Sequence, residues 1–304
     1  MEKVIPLLDL SVIIVTYNHE HEIKKCLASL GANLGNLIVE IIIIDNHSLD
    51  RTVRIVIKSL TNFPHSHNFS IIVNETNKGF TKAVNQGLTA SNGKYLLILN
   101  PDIEFHADVV TPLVEFMKQD KQIGIVTPQF LNADGTIQPS CRRFPRHRDF
   151  FYNLLGLNLL FKKSKEFNYW KMGDFNHQSK KEVEQPQGAF LLTHRRVVNQ
   201  VGFLDEQFPM FFSDVDWCRR LIQNQWKILY VPGVKIIHHK GTSIYRHRLK
   251  MIWSSHRSMY HYFKKYSKDI LGSFMNYLTG EFLLLAAVLR SIFYQLNSNK
   301  IKDY

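Results

Sequence analysis

Cysteine is scarce in this 304-residue chain, present only as Cys26, Cys141 and Cys218. The three are far apart, form no CxxC and are odd in number, which argues against a disulfide framework or a zinc site and for a reducing compartment. Acidic residues are also short. Asp and Glu number 26 against 38 Lys and Arg, a net charge of +12 and a pI near 9.5. Such an excess points to an anionic partner (nucleic acid, an anionic membrane surface or a phosphorylated substrate) or to a basic surface kept for solubility. No GxGxxG follows the first apolar run and no GxxxxGK[ST] occurs, so a Rossmann dinucleotide site and a P-loop are unsupported. No helix-turn-helix, RNP or zinc pattern supports nucleic-acid binding. The N-terminus carries an acidic residue and Pro6 before its apolar part, with no basic n-region or small-residue cleavage site, so no signal peptide is expected. Long apolar runs are absent too. Phe282 to Leu289, "FLLLAAVL", falls short of the roughly 20 residues that span a bilayer. Extending it across 272–296 would place Glu281 in hydrocarbon. A helix lying on a membrane surface or packed on the domain is expected instead.

What is present is an ordinary globular balance, 45% hydrophobic and 21% charged. Strand and helix patterns alternate through the first part. "LSVIIV", "VEIIIID", "FSIIVN", "KYLLIL" and "IGIVTPQF" read as strands. Between them lie helical patterns at "EHEIKKCLASL", "RTVRIVIKSL", "FTKAVNQGLTAS" and "ADVVTPLVEFMKQ". This rhythm predicts an α/β domain with a doubly wound, mainly parallel sheet. After it come a hairpin turn at "NADG", a basic stretch "CRRFPRHRDF" and a segment over 150–182 with no clean period. "GAFLLTH", "DVDWCRRLIQNQ" and "WKILYVPGVKIIHH" restore order, and the chain reads as helical from about 246.

Polar residues cluster at the strand ends. Strand 1 ends in Thr16, Tyr17 and Asn18, strand 2 in Asp45 and Asn46, strand 3 in "NETNKGF", strand 4 in Asn100, Pro101 and Asp102. Open parallel sheets bind ligands beyond the carboxyl ends of their strands. Each cluster alone is a turn signal; four at one edge make a site. An aromatic face at Tyr17 can hold a nucleobase, Asp45 can accept from a base N–H, and Asp102 can hold a divalent cation against a diphosphate.

Six segments together resemble the inverting family 2 glycosyltransferases of GT-A fold: "SVIIVTYNHEHEIKKCLASL", "IIIIDNHSLDRTV", "NKGFTKAVNQGL", "YLLILNPDIEF", "GAFLLTHRRVVNQVGFLDEQFPMFFSDVDWCRRL" and "HHKGTS". They span roughly 9–245 in the family's order. The resemblance implies donor-nucleotide contacts from Thr16, Tyr17, Asn18, Asp45, Asn77, Lys78, Gly79 and Asn100. It places Asn100-Pro101-Asp102 where the family has its DxD motif, with Asp102 on the metal, Mg²⁺ or Mn²⁺. Asn100 departs from that motif: an amide brings no charge, and reaches a ribose directly or the metal through water. The NPD form is similar to that of rhamnosyltransferases using a dTDP-sugar. Asp214 matches the family's general base, although Ser213 stands where a Glu is usual. His238, Gly241 and Ser243 match an H-x-x-G-x-S pattern whose His is a metal or diphosphate ligand in some members, and otherwise a histidine that packs or caps a loop. Arg142, Arg143 and Asp216 are candidate acceptor or diphosphate contacts, the arginines on a flap or merely a solvated loop.

Three regions are expected: a nucleotide-sugar half at 9–128, an acceptor and catalytic half at 129–245 of the same domain, and a basic helical extension at 246–304. The extension carries Arg246, Arg248, Lys250, Arg257, Lys264, Lys265 and Lys268 among tyrosines, as an anionic membrane surface would favour. The resulting expectation is transfer of a sugar from a nucleotide-diphosphate donor to a lipid-linked or cell-envelope glycan at the inner membrane face, without nucleic acid. The departures at Asn100 and Ser213 keep open a non-catalytic relative acting as a glycan-assembly scaffold.

Overall fold

In a computed structural model of the protein, residues 8–61, 63, 68–239 and 248–301 are described. The first half alternates β1 (Leu10–Thr16), α1 (Ile23–Gly31), β2 (Val39–Asp45), α2 (Thr52–Thr61), β3 (Asn68–Val73), α3 (Phe80–Ala90) and β4 (Tyr95–Leu99). Then come β5 (Ile103–Glu104), α4 (Val110–Gln119), β6 (Ile123–Leu131), β7 (Ile137–Gln138) and β8 (Cys141–Arg142). Short helices α5 (His147–Leu154) and α6 (Leu157–Leu160) follow, with β9 (Lys181–Glu182) and β10 (Gln185–Pro186). The remainder is β11 (Phe190–His194), α7 (Arg195–Val201), α8 (Ser213–Gln223), β12 (Lys227–His238), α9 (Arg248–Tyr266) and α10 (Ile270–Ile301).

The main sheet runs β3-β2-β1-β4-β11-β6-β12-β5. β3, β2, β1 and β4 pair in parallel in that order, and β6 pairs in parallel with β12. β11 is antiparallel to both β4 and β6. The mainly parallel expectation therefore holds for the long strands, with β11 inserted antiparallel and the short β5, β7 and β9 antiparallel at the margins. The "GAFLLTH" strand is fed by the irregular 141–189 segment rather than by a crossover helix, and so enters from the opposite end.

Both faces of the sheet are covered, which is why its central strands read as unbroken β-branched runs. Leu10, Val12 and Ile14 pack with Leu27 of α1 and Leu113 of α4. Ile13 and Val15 face the other way, with Val84 of α3 and Trp217 of α8. The three cysteines are buried and unbridged. Asp50 accepts from Thr52 N at 2.9 Å at the head of α2.

The C-terminal helices are stitched to the domain by buried charge. Asp216 is fully buried and accepts from Arg220 Nε at 2.8 Å, Lys265 Nζ at 2.5 Å and Tyr266 Oη at 2.7 Å. Two of these donors are on α9. The apolar run expected near 282–289 proves to be part of one helix, α10, of 32 residues. Arg246 lies outside the described residues.

The staple makes a stability prediction. Lys265→Met leaves a buried carboxylate short of one cationic partner and is expected to cost about 2–3 kcal/mol in urea unfolding. A change under about 0.5 kcal/mol, the size of an ordinary surface substitution, would show that the ion cluster does not hold α9.

Candidate active site

The carboxyl ends of β1, β2 and β4 and the N-termini of α3 and α8 open onto one cavity of about 1650 Å³. Its walls include Tyr17, Asn77, Lys78, Gly79, Asn100, Asp102, Arg142, Asp214 and His238. Nine of the sequence-derived candidates thus meet in one place.

The side of the cavity at the ends of β1 and β2 is built on hydrogen bonds beneath the surface. Asp45 is buried and accepts from Thr16 Oγ1 at 2.9 Å and Ser48 N at 2.8 Å. Asn18 has a left-handed backbone (φ 57°) and its side chain accepts from Leu49 N at 2.7 Å. Thr16, Asn18 and Asp45 therefore shape the floor and do not line the cavity. The wall residue at this strand end is Asn46, which the sequence reading mentions but assigns no role. Its amide donates to Asn77 Oδ1 at 2.9 Å, and its Oδ1 accepts from Lys78 N at 2.9 Å. It thereby fixes the "NKG" turn. Gly79 (φ 86°) is required there, because a Cβ would come within 2.9 Å of the Pro209 carbonyl oxygen.

Asp102 and His238 meet because β5, directly after NPD, pairs with the end of β12. His239 N donates to Asp102 O at 2.9 Å, locking the two ends together. His238 Nε2 lies 3.5 Å from Asp102 Oδ1, and both side chains are nearly buried. The tautomer follows from Gln138. Its amide nitrogen donates to Asn132 Oδ1 at 2.9 Å and to His238 O at 3.1 Å, so its oxygen faces His238 Nδ1 at 2.7 Å. Nδ1 then carries the proton, and Nε2 turns a lone pair toward Asp102. Asp102 Oδ1 is buried without a hydrogen-bond partner among the described residues. A carboxylate oxygen and an imidazole lone pair aimed at one point fit a divalent cation whose other ligands are phosphate oxygens and water. No group of three or more His, Cys, Asp or Glu suited to a metal occurs among the described residues. The pair therefore suits a cation shared with a bound diphosphate. Gly241 and Ser243 lie outside the described residues.

Asp214 stands in the first turn of α8, with Oδ1 accepting from Val215 N at 2.9 Å and Oδ2 from Gly188 N at 3.1 Å. A Cβ at position 188 would come within 3.0 Å of the carboxylate, so the glycine admits this close approach. Desolvation raises the Asp214 pKa above the usual carboxylate value, while the backbone donors and Arg142 oppose the shift. A carboxylate so placed is a stronger base than an ordinary surface Asp.

Two expected contacts lie elsewhere. Asp216 is spent in the buried cluster with Arg220, Lys265 and Tyr266. Arg143 pairs with Asp174 at 2.7 Å and stacks on Tyr169. Neither lines the cavity. Arg146 is likewise held by Asp149 and Glu166. Arg142 faces the cavity, with its guanidinium 5.1 Å from the Trp170 ring. The sequence also gave no sign of the cavity's far wall. Lys250 and Ser254 of α9, with Leu289, Arg290 and Phe293 of α10, close that side.

Residues 11–185, more than half of the chain, match the model of the glycosyl transferase family 2 domain. The chain is 25% identical over 272 residues to the N-acetylglucosaminyl-diphospho-decaprenol L-rhamnosyltransferase of Mycobacterium tuberculosis, covering 83% of this chain and 82% of that one. It is 25% identical over 239 residues to the rhamnosyltransferase WbbL of Escherichia coli, covering 75% and 82%. Among solved structures, the mannosyltransferase PcManGT from Pyrobaculum calidifontis in complex with GDP-Man and Mn²⁺ superposes with a TM-score of 0.59 at 16% identity, over 98% of this chain and 81% of that one. The fold is of GT-A type, and the chain belongs to glycosyl transferase family 2 as a glycosyltransferase.

Proposed function

We propose that the protein is an inverting transferase that moves a hexosyl group, rhamnose from dTDP-rhamnose in the favoured case, to a hydroxyl of a lipid-linked or cell-envelope glycan. The observation that carries this is the shared cavity: a desolvated base, Asp214, opens onto the same space as the Asp102–His238 pair. The sugar and acceptor classes are supported by the two rhamnosyltransferase relatives, one named for a diphospho-decaprenol acceptor. The Mn²⁺ complex of the mannosyltransferase neighbour supports a divalent cation. The position of work is the inner face of the cell membrane.

In this mechanism the Asp214 carboxylate takes the proton of the acceptor hydroxyl as its oxygen attacks the anomeric carbon. The bond from that carbon to the diphosphate breaks, and the nucleoside diphosphate leaves with the electron pair. A raised pKa brings the base nearer working pH, where proton removal is most effective. Asp102 and His238 would hold Mg²⁺ or Mn²⁺, which supplies charge neutralisation at the departing diphosphate. Tyr17 offers a base-stacking face, the Asn46-anchored turn at Asn77–Gly79 presents the Lys78 side chain, and Asn100 and Arg142 offer uncharged and cationic donors from the cavity lining.

Asp214→Asn is expected to lower kcat by about 10²–10⁴-fold, the usual worth of a positioned general base. Donor binding, read by thermal shift, should persist. The folded pKa of Asp214 is raised, so its stabilising contribution is complete below the unfolded pKa and disappears as pH rises through the folded value. At pH 7 the ionised group is therefore a net cost, and the variant should melt at or above the wild-type temperature. Near-normal turnover in the variant would remove Asp214 from the role. For the wild type, the acid limb of kcat should fall above the ordinary carboxylate value of 3.8; a limb at or below that value would contradict the burial argument.

Asp102→Ala tests the cation side. In a panel of dTDP-, UDP- and GDP-sugars, a ligand of the native state raises the melting temperature by mass action. The wild type should show a further rise with Mn²⁺ for one nucleotide, dTDP being favoured, and the variant should lose that increment. If Mn²⁺ stabilises both proteins equally with the donor, Asp102 does not hold it.

A further inference from the structure

Helix α10 wears its polarity the wrong way round for a surface helix of a water-soluble domain. The stripe that faces the protein is Gly272, Asn276, Thr279, Leu283, Ala286 and Ala287, mostly small or polar. It is docked along this length: Thr279 Oγ1 meets His147 Nδ1 at 2.9 Å, and Asn276 donates to Ser267 O at 2.8 Å. The large apolar residues point outward. Leu271 (67% exposed), Phe282 (41%), Leu285 (52%), Leu289 (54%), Phe293 (70%) and Leu296 (64%) recur at steps compatible with one helical face. No charged residue interrupts that face, whereas Ser273, Glu281, Ser291 and Gln295 fall outside it.

We propose that this face seats the protein in the interfacial layer of an anionic bilayer, with α10 lying in the membrane plane. By length and composition Ile270–Leu296 is apolar enough to cross a membrane, with mean hydropathy 1.4. Crossing would carry the docked partners at 272–287 into hydrocarbon, including buried Asn276 and the His147–Thr279 pair. Lying flat buries the apolar face alone and leaves Glu281 at headgroup level. Charge selects the occupant. Exposed Arg257, Lys264 and Lys268 on α9 and the turn before α10 complement anionic lipid, as does the +12 net charge. A second copy of so basic a chain would be repelled.

The same helix joins the membrane to the chemistry. Leu289 and Phe293 belong both to the outward face and to the wall of the cavity that holds Asp214, with Arg290 between them in sequence and Lys250 contributed by α9. Resting on the proposed function, the seat assigns an entry route. The lipid portion of an acceptor stays in the bilayer against Leu289 and Phe293, while its anionic headgroup passes Arg290 and Lys250 toward the base.

Flotation of the full chain with phosphatidylethanolamine–phosphatidylglycerol vesicles tests the seat. The wild type should float with these and less with pure phosphatidylcholine. Leu271→Gln/Leu285→Gln/Leu296→Gln, none of which lines the cavity, should lower vesicle binding by about tenfold or more, with unchanged melting temperature. Leu284→Gln, on another face, should float as wild type. Wild type that stays with the soluble fraction, or a triple variant that still floats, overturns the proposal. A lipid-free dimer in sedimentation, abolished by the triple variant, overturns it in favour of a second copy as the occupant. Donor binding is scored separately by thermal shift, so a failed donor panel counts against the proposed transfer and leaves the flotation result standing.

Discussion

Two carboxylates in one helical turn, both withdrawn from bulk water, cannot both stand bare at low dielectric. The head of α8 depends on resolving that conflict, and the structure resolves it asymmetrically. Asp216 turns inward and is surrounded by Arg220, Lys265 and Tyr266. Asp214 turns outward and is met by backbone N–H groups, among them those of Gly188 and Val215, with Arg142 in electrostatic reach. One acid is neutralised so that the other can be left basic. Such a buried ion cluster adds little net stability against an apolar equivalent, but it fixes registry. Here the registry is that of α9 against α8, and through α9 the placement of α10 along the cavity.

The opposite pole of the site works by the converse rule. At Asp102 and His238 the protein places a carboxylate oxygen 3.5 Å from Nε2, and in the neutral ring Gln138 holds the imidazole proton on the far nitrogen. An unsatisfied buried acceptor is costly, and a cation would relieve it. The cost is bearable because β5 and β12 are already hydrogen-bonded on either side. This bears on Asn100. The first position of the motif need not carry charge if a histidine from a strand nearly 140 residues later completes the pair.

The strands, the helices between them and most of the cavity were legible in the sequence, since buried parallel strands and their polar ends leave local signatures. "VEIIIID" could hardly be anything else. The orientation of β11 was not legible: a five-residue strand with three apolar residues reads the same in either direction, and only the approach of the preceding loop decides it. Asp216 was misplaced for a related reason. Spacing puts it in the same first turn as Asp214, but which way it faces depends on Lys265 and Tyr266, about 50 residues away. Asn46 was passed over because asparagine after a strand reads as a turn residue, and its partners Asn77 and Lys78 sit on another loop. Arg143 looked identical to Arg142, and only the partner Asp174 separates them.

The C-terminal helices show how far function depends on such non-local pairing. By composition, α9 is a basic aromatic helix and α10 an apolar one, and each alone suits a membrane surface. Docked, they divide the work. α9 commits Lys265 and Tyr266 to Asp216 and lends Lys250 to the cavity wall, while α10 commits its small and polar stripe to the protein and leaves its bulky residues outside. A helix merely covering a core would place its largest apolar residues inward, since burial of apolar area is what drives docking. The reversal at α10 is what the proposed bilayer seat accounts for. Because Leu289 and Phe293 belong to both that outward face and the cavity wall, a bilayer covering α10 would also border the cavity that holds Asp214.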